Sequence, residues 1–165
     1  MGHNMRNRIK LLVMDVDGTL TDGKINMGPD GESFKSFNIK DGYAINEMLP
    51  ANGIVPAIIT GRTSAIVENR ARELHITELY QGKHDKLDTF RALMSKYGCT
   101  RENMAYIGDD VLDIVCMNEC ILVGCPADAC QQVKNLAQYV CRSKGGDGAV
   151  REFIEYLINY NKQNC

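Results

Sequence analysis

Two aspartates lie two positions apart, directly after a short apolar run near the start of the chain. Asp15 and Asp17 follow residues 11–14, whose composition is typical of a buried β-strand. On an ideal strand both side chains point to the same side, where two carboxylates repel unless a cation or a proton lies between them. Magnesium, a hard ion that takes oxygen ligands, suits this pair. The alternative is a loop whose aspartates only cap backbone N–H groups.

Three more carboxylates lie within five positions later in the chain. Asp109, Asp110 and Asp113 follow residues 104–107, which predict another strand. Because so much negative charge without a cation destabilises a fold, this cluster strongly indicates a metal site. Together with Asp15, it could supply a magnesium shell that also keeps waters and a substrate phosphate.

Residues suited to phosphate follow two other predicted strands. Thr60 and Gly61 come after residues 54–59, and a hydroxyl and a free backbone N–H at that place can bind phosphate oxygens. A threonine–glycine pair alone is more often a plain turn. Lys86 lies in the first turn of a predicted helix, where a cation opposes the helix dipole unless an anion lies there to be neutralised.

The segment from Asp15 to Thr21 resembles the first motif of the haloacid dehalogenase superfamily of phosphotransferases. The resemblance implies that Asp15 is the nucleophile that accepts a phosphoryl group and that Asp17 is the general acid and base. A covalent aspartyl phosphate splits one difficult displacement into two easier ones. One carboxylate must then be ionised, while the other protonates a leaving alcohol and later deprotonates a water.

The remaining clusters resemble the other three superfamily motifs in the right order, and the resemblance covers residues 11–152. It implies that Thr60 binds phosphate, that Lys86 offsets its charge, and that Mg²⁺ is the cofactor. The implied metal ligands are Asp15, Asp17 and Asp109, with Asp110 and Asp113 in support.

Two arginines are candidates for recognising the rest of the substrate. Arg62 follows Gly61, and Arg70 lies roughly 12 Å further along the predicted helix 64–74 at 1.5 Å rise per residue. The planar guanidinium suits a carboxylate, so a 2-keto acid substrate would give both a role. For Arg70 the alternative of a solvated helix charge stays open, and for Arg72 it is favoured.

Strand and helix patterns alternate along the chain. Strands are predicted at 11–14, 54–59, 78–82, 104–107, 121–124 and 139–141, and helices at 41–49, 64–74, 86–97, around 133–136 and at 149–160. This alternation predicts an α/β fold with a doubly wound parallel sheet, Rossmann-like as in the superfamily, and one site along its carboxyl edge. Residues 144–152 form a glycine-rich segment that could wrap an anion or simply turn the chain.

Residues 24–38 predict a β-hairpin, because Gly28-Pro29-Asp30-Gly31 separates two alternating segments. The hairpin could fold over the site or pair with copies from other subunits. The superfamily commonly inserts a cap domain here, and this insertion is too short to be one. The sequence therefore resembles the capless subgroup, which implies a homotetramer with active sites near subunit interfaces.

Composition excludes several classes of protein. With 165 residues, 44% hydrophobic and 24% charged, residues 1–165 are expected to form a single domain. A net charge of −2 gives no general attraction to nucleic acid or to an anionic membrane. No apolar window of about 18 residues predicts a membrane span. Residues 1–10 lack a signal-peptide pattern, and the seven cysteines contain no Cys-x-x-Cys pair, so reduced thiols in the cytoplasm are expected rather than disulfides or zinc.

Within the capless subgroup, Gln81-Gly82 and Asp85-Lys86 resemble the sugar-acid phosphatases. The implied activity is hydrolysis of a sugar-acid phosphate: 3-deoxy-D-manno-octulosonate 8-phosphate, an intermediate of lipopolysaccharide sugar synthesis, ranks first and a nonulosonate 9-phosphate second. A noncatalytic oligomerisation module, related to domains of animal cytidylyltransferases, would be expected to lose motif residues, and all are present. A mutase is disfavoured, since no cap shields the intermediate from water.

Overall fold

The computed structural model of the chain describes residues 8–164. Residues 1–7 and Cys165 lie outside the described residues. The N-terminal segment 1–10, which lacks a signal-peptide pattern, is therefore described only from residue 8. The six cysteines within the described residues are free thiols.

Eight strands are present in the described part of the chain. They are β1 (Leu11–Met14), β2 (Asn26–Gly28), β3 (Gly31–Phe34), β4 (Val55–Ile59), β5 (Glu78–Tyr80), β6 (Met104–Ile107), β7 (Leu122–Cys125) and β8 (Tyr139–Val140). Six of them form one sheet in the order β5-β4-β1-β6-β7-β8, and every pair in it is parallel. The predicted doubly wound parallel sheet is confirmed, with the first strand at its centre.

Helical segments cover both faces of the sheet. They are α1 (Ile39–Tyr43), α2 (Leu49–Ala51), α3 (Ala65–Glu73), α4 (Lys86–Lys96), α5 (Ile114–Met117), α6 (Gln131–Leu136) and α7 (Ala149–Gln163). A π-helical segment, Ala44–Met48, joins α1 to α2. The sequence predicts that this helix ends at Pro50 and Gly53, and the helical run continues past Pro50 to Ala51, two residues before Gly53. Among residues 8–164, no helix combines the length and apolarity needed to cross a membrane.

The central strand β1 contributes to two hydrophobic cores. Leu12 and Met14 pack into the core on one face of the sheet, which includes Phe153 of α7. Leu11 and Val13 pack into the core on the other face. Because alternate residues of a strand point to opposite faces and both faces are covered, all four side chains are fully buried. The strand that carries Asp15 at its end is therefore held rigidly.

The predicted hairpin is present and stands outside the main sheet. Strands β2 and β3 pair antiparallel, with an irregularity in register between Asn26 and Met27. Three apolar side chains near or in the hairpin are exposed: Ile25, Met27 and Phe34. The hairpin leaves β1 through the turn that contains Asp17, which places it beside the carboxyl edge of the sheet.

Candidate active site

A cleft lies at the carboxyl ends of β1, β4 and β6. Strand order reverses around β1, and in open α/β sheets ligands bind at such a switch point. The cleft is lined by Asp15, Asp17, Thr60, Gly61, Arg62, Lys86, Asp109, Asp110, Leu112 and Asp113. The fold thus brings together every site residue predicted from the sequence except Arg70.

Lys86 bridges two of these carboxylates from the first turn of α4. Its ammonium group donates to Asp15 Oδ1 at 2.9 Å and to Asp113 Oδ1 at 2.7 Å, and all three residues are buried. Burial alone would lower the pKa of Lys86, but the neighbouring carboxylates outweigh it and hold that pKa above its ordinary value. Lys86 therefore remains a buried cation next to the predicted nucleophile.

Asp113 uses both carboxylate oxygens to hold its neighbours in place. Oδ1 accepts from Lys86 and from the hydroxyl of Tyr106 at 2.8 Å. Oδ2 accepts from the backbone N–H groups of Asp109 at 3.1 Å and Asp110 at 3.3 Å. Since its acceptor capacity is largely used, Asp113 orients Lys86 and the turn after β6, which agrees with its predicted supporting role.

Negative charge is concentrated around Asp15. One oxygen each from Asp15, Asp109 and Asp113 lie within 4.8 Å of one another. Burial, followed by the charge of neighbouring aspartates, raises the pKa of Asp15 to about 6 and that of Asp109 to about 7. These protein groups alone do not compensate the charge, and hard oxygen donors in this arrangement fit a divalent cation such as Mg²⁺.

The turn after β1 is shaped around Asp109. The hydroxyl of Thr19 donates to Asp109 Oδ1 at 3.0 Å. Gly18 has a φ of +90°, and a Cβ atom there would overlap the carboxylate of Asp109. Glycine is required at position 18 both for its backbone conformation and for this close approach.

Asp17 has different partners from Asp15. Its Oδ1 accepts a hydrogen bond from Lys35 Nζ at 2.6 Å, and its Oδ2 lies 3.8 Å from Arg62 Nε. The chain leaves the sheet at Met14, so the two aspartates no longer share strand geometry, although both line the cleft. The carboxylate of Asp17, predicted as a metal ligand, faces two cations and is not in the acidic group around Asp15.

Two hairpin residues at the mouth of the cleft have no role predicted from the sequence. Lys35 also contacts Glu32 Oε1 at 2.8 Å, and its side chain is only 2% exposed. Burial alone would lower the pKa of Lys35, but hydrogen bonds to Asp17 and Glu32 raise it above its ordinary value. Glu32 in turn accepts a hydrogen bond from the hydroxyl of Ser64. The sequence feature that could have indicated them is their opposite charge at a spacing of three residues, in a hairpin that follows the first motif.

The phosphate-binding candidates lie on a loop that two backbone hydrogen bonds hold at Thr60. The N–H of Thr60 donates to the carbonyl of Tyr80 at 2.9 Å, and the carbonyl of Thr60 accepts from the N–H of Lys83 at 3.0 Å. Thr60 is buried and lines the cleft. A Cβ on Gly61 would meet no protein atom closer than 3.9 Å, so the space beside this glycine is open.

The two candidate arginines are in different places. Arg62 lines the cleft, with 49% of its side chain exposed. Arg70 donates to Glu73 at 2.8 Å, and its guanidinium lies 5.5 Å from the centre of the Phe37 ring. Within one chain, the structure therefore does not support the prediction that Arg70 binds substrate, because α3 carries it to a separate pocket beside Asn38.

A sequence model of haloacid dehalogenase-like hydrolases matches residues 72–154. The chain is 45% identical over 150 residues to 3-deoxy-D-manno-octulosonate 8-phosphate phosphatase KdsC of Yersinia pestis, which is 91% of this chain and 80% of that protein. It is 47% identical over 150 residues to the protein of the same name from Escherichia coli K12, with 91% and 79% coverage.

Solved structures show the same similarity. The crystal structure of the Yersinia pestis phosphatase has a TM-score of 0.89 and 45% identity, and the match covers 96% of this chain and 84% of that one. A phosphatase of that name from Moraxella catarrhalis, in complex with magnesium, phosphate and KDO, has a TM-score of 0.87 and 40% identity, with 93% and 87% coverage. A cobalt-bound form from Haemophilus influenzae has a TM-score of 0.89 and 36% identity, with 96% and 92% coverage.

Proposed function

The chain belongs to the haloacid dehalogenase-like hydrolases and, within them, to the 3-deoxy-D-manno-octulosonate 8-phosphate phosphatases, and we propose that it hydrolyses this sugar-acid phosphate through an aspartyl phosphate on Asp15. The observation that carries the proposal is the separation of the two aspartates. Asp15 is buried beside Lys86, whereas Asp17 lies at the mouth beside Lys35. One is placed to attack phosphorus, and the other to exchange a proton with an alcohol or a water.

In the first step, a carboxylate oxygen of Asp15 attacks phosphorus in line, and the bond from phosphorus to the sugar oxygen breaks. Asp17 gives its proton to that oxygen, which therefore leaves as a neutral hydroxyl group of the sugar acid. In the second step, a water attacks phosphorus, its proton goes to Asp17, and the bond to Asp15 breaks. The hydroxyl of Thr60 and the N–H of Gly61 hold the phosphoryl oxygens, and Lys86 offsets their charge.

We propose Mg²⁺ as the resident metal, in agreement with the magnesium named in the Moraxella relative. Asp15 and Asp109 would hold it, and Asp110 and Asp113 would support the turn after β6. When bound, the ion supplies positive charge that compensates the carboxylates and the phosphoryl group. The structure gives Asp17 partners that suit proton transfer better than side-chain metal binding.

The substrate's carboxylate has a counter-charge in Arg62, which lines the cleft and is half exposed. We further propose that the enzyme is cytoplasmic and homotetrameric. The free cysteines at residues 99–141 agree with a reducing compartment. The exposed apolar side chains of the hairpin agree with contact to other subunits.

The proposal is tested by quenching the reaction in acid with a substrate that carries radioactive phosphorus. Label should remain on the wild-type chain but not on Asp15→Asn, whose turnover should fall by roughly 10⁴-fold or more while its fold is retained. Asp110→Asn, a change at an exposed carboxylate of the same cleft, is the matched control and should still become labelled. Turnover by Asp15→Asn at the wild-type rate would contradict the assignment.

A further inference from the structure

The hairpin contributes a cation to the active site of its own chain. The side chain of Lys35 is 2% exposed, although lysine is among the residues least often buried. Its ammonium group lies between two carboxylates, Asp17 at 2.6 Å and Glu32 at 2.8 Å. Burying a lysine is unfavourable unless such partners compensate it, so this arrangement is a built feature of the hairpin.

Lys35 is what orients the carboxylate of Asp17. Among residues 8–164, the hydrogen bond that the Asp17 carboxylate accepts comes from Lys35. Arg62 lies 3.8 Å away, an ion-pair distance without a hydrogen bond. Asp17 itself is in the turn after β1, so neither a strand ladder nor a helix fixes its side chain. A general acid must be aimed closely at the atom it protonates, which makes this single bond important.

The hydrogen bond from Lys35 to Asp17 is not needed to hold the hairpin against the rest of the domain. Glu32 already accepts a hydrogen bond from Ser64, the buried residue that precedes α3. Arg62 Nη2 also lies 3.7 Å from Glu32 Oε1. Glu32 can therefore hold the hairpin and Lys35 in place, while the contact from Lys35 to Asp17 serves the reaction.

We propose that Lys35 is a positioning residue for proton transfer, held by Glu32 and acting through Asp17, and this inference rests on the proposed function. Lys35 donates its hydrogen bond to Asp17 Oδ1 and leaves Oδ2 to carry the proton that goes to the leaving sugar oxygen. The bond from phosphorus to that oxygen breaks as the proton arrives. Lys35 itself keeps its protons throughout.

The test compares two leaving groups in pre-steady-state experiments with substrate in excess and Mg²⁺ present. An alkyl alcohol, as in octulosonate 8-phosphate, needs the proton from Asp17, whereas p-nitrophenolate leaves as a stable anion. Lys35→Met should lose roughly a hundredfold in the rate of alcohol release at saturating substrate, but only about threefold or less with p-nitrophenyl phosphate. Lys24→Met is the matched control: it changes a hairpin lysine that is 80% exposed, and both of its rates should equal those of the wild type.

Equal losses by Lys35→Met on both esters would overturn the inference, because they would indicate a structural role for the ion pair. A raised KM with an unchanged rate at saturation would also overturn it and would assign Lys35 to substrate binding. Both results require an active wild type, so they leave the proposed function standing. A folded wild type and Lys24→Met that hydrolyse neither ester would instead remove the proposed function, and the inference with it.

Discussion

At the scale of single residues, the cleft places two aspartates that are neighbours in sequence in different electrostatic environments. Asp15 is buried, and its pKa is raised to about 6 by burial and by Asp113, although Lys86 opposes the shift. Asp17 lies beside Lys35 and is partly exposed. Two-step phosphoryl transfer needs one carboxylate as nucleophile and another for proton transfer, and these surroundings distinguish them.

The raised pKa values of Asp15 and Asp109 predict how the stability of the metal-free protein depends on pH. Both groups bind a proton more tightly in the folded state than their ordinary value of 3.8 implies. Their stabilising effect is complete below that value and is lost as pH rises through about 6 for Asp15 and about 7 for Asp109. In EDTA, the Tm should therefore fall between about pH 4 and pH 7.

Added Mg²⁺ should raise the Tm more at the upper end of that pH range, because the ion competes with protons for the same carboxylates. Thermal unfolding with EDTA and with Mg²⁺ at both pH values measures the effect. Asp109→Asn should reduce both the pH dependence and the response to Mg²⁺. A Tm in EDTA that rises with pH, or an equal Mg²⁺ effect at both ends, would contradict this account of the site.

The sequence predicts most of the cleft because its residues lie at strand ends, where local pattern and chain order determine position. Asp15, Thr60 and Asp109 follow three strands that are neighbours in the sheet. Lys35 and Tyr106 are different, since their roles depend on where the hairpin folds and on which side of β6 faces Asp113. Both contacts depend on the tertiary structure, so they cannot be predicted from the spacing of residues in the sequence.

At the scale of elements, the glycine-rich loop before α7 supports the turn that follows β1. The N–H of Gly146 donates to the carbonyl of Thr19 at 3.1 Å. The N–H of Gly145 donates to Asp128 Oδ1 at 3.0 Å, and a Cβ at Gly145 would overlap the carbonyl oxygen of Gly18. The sequence leaves open whether this loop binds an anion or turns the chain, and the structure shows that it packs against the turn that follows β1.

Gly145→Ala should therefore reduce kcat, because the added methyl group displaces the turn that carries Asp17. A displacement of about 1 Å is enough for a loss of roughly 10- to 100-fold. Steady-state kinetics with thermal unfolding measure both effects. Gly53→Ala is the control: its φ of +67° makes alanine unfavourable by about 1 kcal/mol, but the space around it is open and kcat should not change. Equal kcat in both variants would contradict the supporting role of the loop.

The boundaries of elements follow from the sequence only where burial determines them. Residues 104–107 are predicted as a strand and are observed as β6, because all four are buried between neighbouring strands. The continuous helical run from α1 to α2 is less predictable. Its π-helical segment and Pro50 are compatible with several end points, and the observed end at Ala51 is followed by Gly53, which has a φ of +67°.

At the scale of the whole molecule, we expect self-association through the exposed apolar side chains of the hairpin. Met27 is 64% exposed and Phe34 is 56% exposed, an apolar surface without a partner among residues 8–164. Met27→Lys should dissociate the expected homotetramer, as measured by size-exclusion chromatography with light scattering. Val140→Lys, which places the same charge on the 43% exposed Val140 of edge strand β8, is the control and should leave the assembly intact.

A wild-type chain that is monomeric at micromolar concentration would contradict the tetramer. So would a Met27→Lys variant that remains tetrameric. Neither result would change the assignment of the cleft, because its ten lining residues come from one chain.

Metal-dependent hydrolysis of one sugar-acid phosphate is tested by phosphate release from a substrate panel with Mg²⁺ and with EDTA. The panel contains octulosonate 8-phosphate, nonulosonate 9-phosphates, and hexose and pentose phosphates. We expect the highest kcat/KM for octulosonate 8-phosphate with Mg²⁺, and no release in EDTA. No release from any ester by the folded, metal-loaded protein would contradict it and would indicate an assembly module that retains the catalytic motifs.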